Sequence, residues 1–389
     1  MFFGLTEEQQ MIQKLACDFT QNEIIPNHLD WDKSGEWPAD TVKKLHEVGL
    51  LSCGVPSEYG GPGLDWVSKH IIIDELCRGD LGLGASVQAS ALLSSDPIFF
   101  GGNDEQKKWW YGRQMEGGLG SFCLTEPNAG SDALGMRCKC IRDGNDWIIS
   151  GAKQFITVAK YASNLVVFAT EDRSLGMDGI NCFMVDPSTL GVSFDKKEDK
   201  MGMRCAWTGS VIFDDIRVPG WMRVGGDKDG GKLLMETLDN SRTSVACEAT
   251  GVATAALQEA IKYANERRQF DRPIIAFQGV QFMIADMTTK LEAAKLLWHK
   301  ASWLQDKGLP YKTVSSQAKM FASDSAVEIC SDAVQIHGGY GYIKDYPVEK
   351  YYRDVKITQI FEGTNQIQRM IIGKYVSKKG SWQFYYDAD

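Results

Sequence analysis

The sequence lacks several features that would place it in common protein classes. No run approaches the roughly 20 consecutive apolar residues of a membrane-spanning helix. The ten cysteines are scattered, and the only close pair is Cys138 and Cys140, so neither a disulfide framework nor a zinc pattern is visible. Residues 1–8 also lack a basic region followed by an apolar one. We therefore expect a cytoplasmic protein with reduced cysteines, no membrane insertion and no metal site.

Clusters of basic residues are also missing. The formal net charge is −9, and the Lys and Arg residues are spread along the chain. Proteins that bind nucleic acid usually concentrate positive charge on one face, so this distribution argues against a nucleic-acid partner. It does not argue against a small molecule that carries a nucleotide.

The residues that are present suffice for a large globular fold. With 389 residues and 43% hydrophobic content, the chain can bury an extensive core and should divide into two or three domains. From about residue 6 to 116 the pattern is helical. Thr6 is a candidate helix cap, and one predicted helix face carries Leu5, Ile12, Leu15 and Phe19.

Two changes of pattern divide the rest of the chain. From about residue 120 to 218, short β-rich runs follow one another without helices between them, which predicts an antiparallel sandwich or barrel. Helical periodicity then returns, with an apolar stripe at Val280, Met283, Ile284, Met287, Leu291, Ala294 and Trp298. We predict an N-terminal helical domain at 1–119, a β domain at 120–225 and a helical bundle at 226–389.

Four well-separated motifs combine glycine, hydroxyl, amide and charged side chains. They are 122–132 (Phe-Cys-Leu-Thr-Glu-Pro-Asn-Ala-Gly-Ser-Asp), 267–270 (Arg-Arg-Gln-Phe) with Gln278, 335–341 (Gln-Ile-His-Gly-Gly-Tyr-Gly) and 360–369 (Ile-Phe-Glu-Gly-Thr-Asn-Gln-Ile-Gln-Arg). Each motif alone is a weak signal. Through all four, in this order and at this spacing, the chain resembles the acyl-CoA dehydrogenases across nearly its full length.

The resemblance implies an α+β, acyl-CoA dehydrogenase-like fold with an N-terminal helical domain, a central antiparallel β domain and a C-terminal four-helix bundle. It implies FAD as cofactor, an acyl-CoA substrate, electron-transferring flavoprotein as electron acceptor, and a homotetramer built as a dimer of dimers. The related oxidases are usually longer, which favours the dehydrogenase. Two alternatives stay open: an enoyl-CoA reductase that works in the reverse direction with an electron-transferring flavoprotein, and a catalytically silent flavin-binding scaffold.

The first motif has two interpretations. Pro, Asn and Gly are ordinary turn residues, so 125–131 could simply be a turn. Exposed backbone N–H groups and hydroxyls on a tight loop can also bind a flavin or its phosphates. The resemblance assigns cofactor contacts here to Phe122, Leu124, Thr125, Gly130 and Ser131, with Ser131 also near the substrate, and further cofactor contacts to Phe155 and Thr157.

The second and third motifs are implied to reach the FAD of a neighbouring subunit. Arg267 could be an ordinary solvated charge, but a guanidinium also pairs well with phosphate. The residues assigned to this contact are Arg267, Phe270, Gln278, Gln335, Gly338 and Gly339. If the assignment holds, an isolated subunit has an incomplete cofactor site.

Glu362 in the fourth motif is the expected catalytic base. Without the other motifs, it could be a helix N-terminal residue with Gly363 and Thr364 as caps. The resemblance implies that Glu362 removes the α proton of an acyl-CoA while a hydride leaves the β carbon. Burial should raise its pKa. A related subgroup carries its base where this chain has Ser241, so Glu362 is the only candidate. Thr364 and Gln366 are implied to contact FAD.

The substrate-binding residues are less sharply defined. Gln88 and Leu92, with Gly84, Ser95 and Asp96, are expected along the acyl pocket, although simple helix packing is an equal alternative. Further expected substrate contacts are Asp239, Arg242, Phe361 and Gly363, and an Arg242–Asp239 ion pair is the structural alternative. Residues 81–84 lack the Arg of glutaryl-specific relatives. We expect a short, branched or alicyclic acyl group. Four aromatic residues in 382–386 predict a docked C-terminal tail.

Overall fold

The structure is a computed structural model that describes residues 4–380. The predicted docking of the aromatic tail therefore falls outside the described residues. The helices are α1 Glu7–Phe19, α2 His28–Ser34, α3 Ala39–Glu47, α4 Trp66–Gly79, α5 Leu81–Gln88, α6 Asp96–Gly101, α7 Asp104–Met115, α8 Gly230–Glu266, α9 Gln278–Asp306, α10 Lys312–His337, α11 Val348–Val355 and α12 Asn365–Lys379.

The strands are β1 Leu119–Cys123, β2 Lys139–Asp143, β3 Asp146–Thr157, β4 Ala162–Thr170, β5 Ile180–Val185, β6 Val192–Lys197, β7 Thr208–Val218, β8 Arg223–Val224, β9 Arg268–Gln269 and β10 Arg272–Pro273. Short turns of 3₁₀-helix connect several of them. The first eight strands form one sheet, and β9 and β10 form a small hairpin.

Helix α1 shows how the local sequence sets a helix start. Thr6 and Gln9 form a reciprocal capping box, which satisfies N–H groups that the first helical turn leaves unpaired. The expected apolar stripe is only partly right. Phe19 is buried, but Leu15 is exposed because Ala16 takes the core-facing position.

The large sheet is mainly antiparallel, with the order β6-β7-β3-β2-β4-β5-β8. Strands β2 and β3 form a hairpin whose turn contains Gly144. The prediction of a purely antiparallel domain was incomplete, because β1 runs parallel to β4. The β2–β3 hairpin lies between them in the chain and supplies the long connection that parallel neighbours require.

The C-terminal helices share one hydrophobic core with the N-terminal helices. On α9 the predicted stripe faces the core: Met287, Leu291, Ala294 and Trp298 are buried, and its first three members are half-buried against the same core. Helix α4 packs closely on α8, since a Cβ added at Gly251 would lie 2.3 Å from the carbonyl oxygen of Asp74. The overall fold class is therefore as predicted, while the exact domain boundaries at 119/120 and 225/226 stay predictions.

Two structural features are absent from residues 4–380. Within this range no helix has the length and apolar character needed to cross a membrane. No group of three or more His, Cys, Asp or Glu side chains in the same range is arranged to hold a metal ion.

Candidate active site

Glu362 lies in a strained turn immediately before α12. Its φ is 52°, a left-handed conformation that residues other than glycine rarely adopt, and Gly363 follows with φ 87°. Thr364 is the N-cap of α12 and accepts a hydrogen bond from the backbone N–H of Ile367. Glu362 is thus not the first residue of the helix. Strained backbone of this kind persists only where surrounding contacts enforce it.

The contacts that hold this turn come from three helices. The Ser241 hydroxyl on α8 donates to Oε2 of Glu362 at 2.8 Å. The Lys319 Nζ on α10 donates to the carbonyl oxygen of Gly363 at 2.9 Å, and so does the Gln368 Nε2 on α12, also at 2.9 Å. We call Ser241, Lys319, Glu362, Gly363 and Gln368 the Glu362 centre. Side chains thereby fix both the carboxylate and the adjoining backbone.

The electrostatics of the Glu362 centre favour a base of increased strength. Burial raises the pKa of the Glu362 carboxyl, while the hydrogen bond from Ser241 and the positive charges of Lys319 and Arg242 oppose the increase. Burial also lowers the pKa of Lys319 to about 8. The backbone N–H of Glu362 makes no hydrogen bond with another residue of the described range. It can therefore donate to a bound molecule.

The first motif forms a loop after β1 whose ends are anchored and whose tip is exposed. Glu126 is buried and pairs with Lys153 at 2.8 Å, and its carboxylate also accepts from the backbone N–H groups of Arg137 and Cys138. Lys153 donates in addition to the carbonyl oxygen of Leu124 at 3.0 Å. The buried ion pair therefore sets the loop path.

The predicted flavin residues of this region divide by exposure. Leu124 is buried, Phe122, Thr125 and Thr157 are half-buried, and Gly130 and Ser131 are exposed. Phe155 is 61% exposed with φ 59°. A strained and exposed aromatic side chain next to an anchored polar loop fits a planar aromatic ring such as that of FAD.

The second and third motifs form a separate surface. Arg267, Phe270, Gln278, Gln335, Gly338 and Gly339 are all exposed, and we call these six residues the exposed face. Arg267, Gly338 and Gly339 line a cavity of about 540 Å³, and the Arg267 guanidinium lies 5.4 Å from the Tyr340 ring centre. The other three residues, Phe270, Gln278 and Gln335, do not line this cavity, and the Phe270 ring packs on Phe277.

The exposed face lies far from the Glu362 centre of the same chain. Lys319 and Gln335 are both on α10, sixteen residues apart, which corresponds to roughly 24 Å along the helix. The structure therefore places the predicted cofactor residues in two groups. Gln366, near the start of α12, is exposed, and the side chain of Thr364 already caps that helix.

The predicted substrate residues on α8 already have protein partners. Arg242 forms an ion pair with Asp239, and Asp239 also pairs with Lys312 at 3.0 Å. The structural alternative is thus present, and a direct substrate contact by either residue stays a prediction. Phe361 and Gly363 are half-buried beside Glu362.

The expected acyl wall on the N-terminal side is buried. Gln88 and Leu92 are 3% exposed, and Nε2 of Gln88 has no hydrogen-bond partner among the described residues. Ser95 accepts from Trp110 at 3.0 Å and therefore supports packing. Asp96 accepts from Asn240 at 2.8 Å, and burial raises its pKa to about 8.

Sequence reasoning missed Lys319 and the Glu126–Lys153 pair. Lys319 stands alone in the small and apolar run 318–322, and a lone cation in such a run is a usable signal for a buried role. Glu126 lies within a motif already selected, but its partner lies 27 residues away on β3, so local sequence does not reveal the pair.

Three domain models of one protein family match the chain in succession. The chain matches the acyl-CoA dehydrogenase N-terminal domain at residues 6–118, the middle domain at 121–216 and the C-terminal domain at 228–377. The chain belongs to the acyl-CoA dehydrogenase family. Enzymes of this family are FAD-dependent oxidoreductases, so the predicted class and cofactor are confirmed.

Several family members are similar over nearly their whole length. The short-chain specific acyl-CoA dehydrogenase of Bos taurus mitochondria is 40% identical over 375 residues, 96% of this chain and 91% of the relative. The caffeyl-CoA reductase-Etf complex subunit CarC of Acetobacterium woodii is 42% identical over 381 residues, 97% of this chain and 100% of the relative. The butyryl-CoA dehydrogenase structure from Megasphaera elsdenii superimposes with a TM-score of 0.95 at 38% identity, covering 97% and 100% of the two chains.

Proposed function

We propose that this family member catalyses the α,β-dehydrogenation of a short, branched or alicyclic acyl-CoA to the 2-enoyl-CoA, with Glu362 as the base. The observation that carries the proposal is the Glu362 centre. A carboxyl of raised pKa is held by Ser241 in a turn whose backbone is fixed by Lys319.

The residues of the centre have distinct tasks in this reaction. Glu362 removes the α proton, and its free backbone N–H donates to the thioester oxygen, where negative charge grows as the proton leaves. Lys319 and Gln368 hold the neighbouring carbonyl oxygen, so that this N–H keeps its direction. FAD, when bound, supplies the acceptor for the β hydride. Phe155 and the loop at 125–131 would hold the flavin end of FAD.

The exposed face supports an assembly of subunits. Phe270 is 86% exposed, and Phe282, one turn after Gln278 on α9, is 59% exposed. Exposing two large aromatic side chains to water is unfavourable for an isolated subunit. We propose that the six residues of the exposed face complete the FAD site of a neighbouring subunit in a homotetramer built as a dimer of dimers. The proposed location of the assembly is the cytoplasm.

Electron-transferring flavoprotein is the proposed electron acceptor. The name of the relative from Acetobacterium woodii describes a reductase in a complex with Etf, which supports both this partner and a second candidate function. In that second function the chain reduces a 2-enoyl-CoA. The Glu362 centre serves either direction, because Glu362 returns the proton to the α carbon in the reverse reaction.

The test is an anaerobic screen of acyl-CoA thioesters that follows flavin absorbance. We expect linear, branched and alicyclic thioesters of four to seven carbons to bleach the flavin. Faster bleaching by palmitoyl-CoA than by every shorter thioester would contradict the substrate class. No bleaching by any thioester, with FAD bound, would instead support the silent scaffold. The reductase direction is measured with reduced enzyme: a 2-enoyl-CoA that accepts the hydride restores the absorbance of the oxidised flavin.

A further inference from the structure

Helix α8 carries a buried carboxyl, that of Glu248, near the Glu362 centre. Glu248 is 1% exposed, and its Oε2 has no hydrogen-bond partner among the described residues. It stands alone as an acidic residue in the small and apolar run 245–256. Leaving a buried carboxyl oxygen unpaired is unfavourable, so such groups are uncommon without a function.

The surrounding polar side chains of α8 make Glu248 an exception. From residue 240 to 250, the other polar side chains all have a partner: Asn240 donates to Asp96, Ser241 to Glu362, Arg242 to Asp239, Thr243 to Ser315, Ser244 bonds His70, Cys247 donates to the carbonyl oxygen of Thr243, and Thr250 donates to Asp74. Arg242 keeps only its Nε unpaired, whereas the Glu248 side chain makes no hydrogen bond with any residue of the described range.

Helix geometry places Glu248 on the face of α8 that carries Ser241. Ser241 and Glu248 are seven residues apart, almost two full turns, so they lie on the same face of α8 and roughly 10 Å apart along its axis. Side chains of a helix lean toward its N-terminus, which brings the Glu248 carboxyl back toward Ser241. Ser241 in turn contacts the base directly.

The protonation state of Glu248 narrows the chemistry that it can recognise. Burial, followed by the charge of Glu362, raises its pKa well above the ordinary value, and the opposing effect of Lys319 is smaller. Lys319 is already bonded to Gly363 and Asn365. A protonated carboxyl offers one O–H donor and one carbonyl acceptor, which is the complement of a hydroxyl group.

We propose that Glu248 is a specificity-determining residue of the acyl pocket, selecting acyl-CoA thioesters that carry an uncharged hydroxyl group several carbons beyond the thioester. Of the roughly 10 Å along α8, the hydrogen bond takes about 3 Å and the lean of the Glu248 side chain about 2 Å, which leaves roughly 5 Å, about four bonds from the α carbon to a hydroxyl on carbon 5. Gln88, on the adjoining helix α5, also keeps an unpaired buried amide nitrogen and gives this side of the pocket a second polar group. The inference rests on the proposed function.

The test measures binding without turnover. Oxidised holoenzyme is titrated by calorimetry with 5-hydroxypent-2-enoyl-CoA and with hex-2-enoyl-CoA, which replaces the hydroxyl by a methyl group and is likewise already unsaturated. We expect the hydroxylated thioester to bind about tenfold more tightly or better, because an unmatched methyl leaves the carboxyl unpaired. Glu248→Leu should reverse the preference, and Glu248→Gln, whose amide both donates and accepts hydrogen bonds, should retain it.

Several outcomes would overturn the inference. Equal affinities for the two thioesters in wild-type enzyme would contradict it without any variant, and so would the same preference in wild type and Glu248→Leu. Tightest binding of the matching 5-amino thioester would indicate an ionised Glu248 and reject the hydroxyl class. Failure of every thioester to bind would instead count against the acyl pocket and the proposed function. A hydroxyl preference without flavin bleaching by acyl-CoA would leave the specificity intact and reject only the chemistry.

Discussion

The Glu362 centre and the exposed face contain residues selected by the same kind of sequence motif, yet their surroundings differ completely. At the Glu362 centre three helices supply donors to one carboxylate and one carbonyl oxygen. At the exposed face both side chains are exposed: Arg267 lies over the Tyr340 ring, and the Phe270 ring packs on Phe277. The first arrangement is held by contacts within one chain, whereas the proposed role of the second requires a neighbouring subunit.

The largest expected effect comes from removing the negative charge of the Glu362 side chain. Glu362→Gln keeps the shape and the hydrogen bond from Ser241 but cannot take a proton. We expect anaerobic flavin reduction by butyryl-CoA to slow by about 10²–10⁴-fold, with FAD still bound. Glu328→Gln, an exposed carboxylate on α10, is the matched control and should react at the wild-type rate. A rate for Glu362→Gln within twofold of wild type would reject Glu362 as the base.

The next largest effect is a loss of folding stability, expected when the Glu126–Lys153 ion pair of the loop after β1 is broken. Lys153→Met leaves the Glu126 carboxylate buried without its cation, which costs about 3–5 kcal/mol. Urea unfolding should show this loss, and FAD should dissociate more readily from the distorted loop. The double variant Lys153→Met/Glu126→Gln removes the lone charge and should recover part of the stability. A single variant as stable as wild type would show that the pair does not support the loop.

In contrast to the loop after β1, a substitution in the exposed face should weaken FAD binding and leave the folding stability of the subunit unchanged. We expect Arg267→Ala to weaken FAD binding about tenfold while changing the unfolding free energy by no more than about 0.5 kcal/mol. Lys262→Ala removes another exposed cation from the end of α8 and serves as the control. Flavin fluorescence on dilution measures FAD release. Equal FAD retention in both variants would remove Arg267 from the cofactor site.

The smallest effect is a shift in pH dependence at Ser241. Flavin reduction needs ionised Glu362, so its rate falls as pH decreases through the Glu362 pKa. The Ser241 hydroxyl stabilises the ionised form and lowers that pKa. Ser241→Ala should therefore raise it and move the acid limb to higher pH, with rates on that limb reduced by no more than about tenfold. Ser241→Thr, which keeps a hydroxyl, should follow the wild-type profile, and a limb shifted to lower pH would contradict the role.

Sequence alone predicted what local patterns encode. The Thr6 cap of α1 and the apolar stripe of α9 each depend on residues within a few turns of the chain, whereas Glu362 was selected only through four motifs together. Lys319 and Glu126 were missed because their partners lie 44 and 27 residues away. Ser241 was noted only as lacking a carboxylate, whereas the fold brings its hydroxyl to Glu362 across 121 residues. Leu15 and the parallel β1 were misjudged because tertiary packing, not periodicity, decides which face is buried and which strands are neighbours.

The isotope dependence of a single flavin reduction tests the central claim most directly. Butyryl-CoA carrying two deuterium atoms at the α carbon is mixed anaerobically with wild-type enzyme, and the rate of bleaching is compared with that of unlabelled butyryl-CoA. If Glu362 removes the α proton as the hydride leaves, the labelled thioester reduces the flavin several-fold more slowly. Equal rates for the α-labelled and unlabelled thioesters, together with a slower rate for a β-deuterated one, would contradict proton abstraction by Glu362 in the step that reduces the flavin.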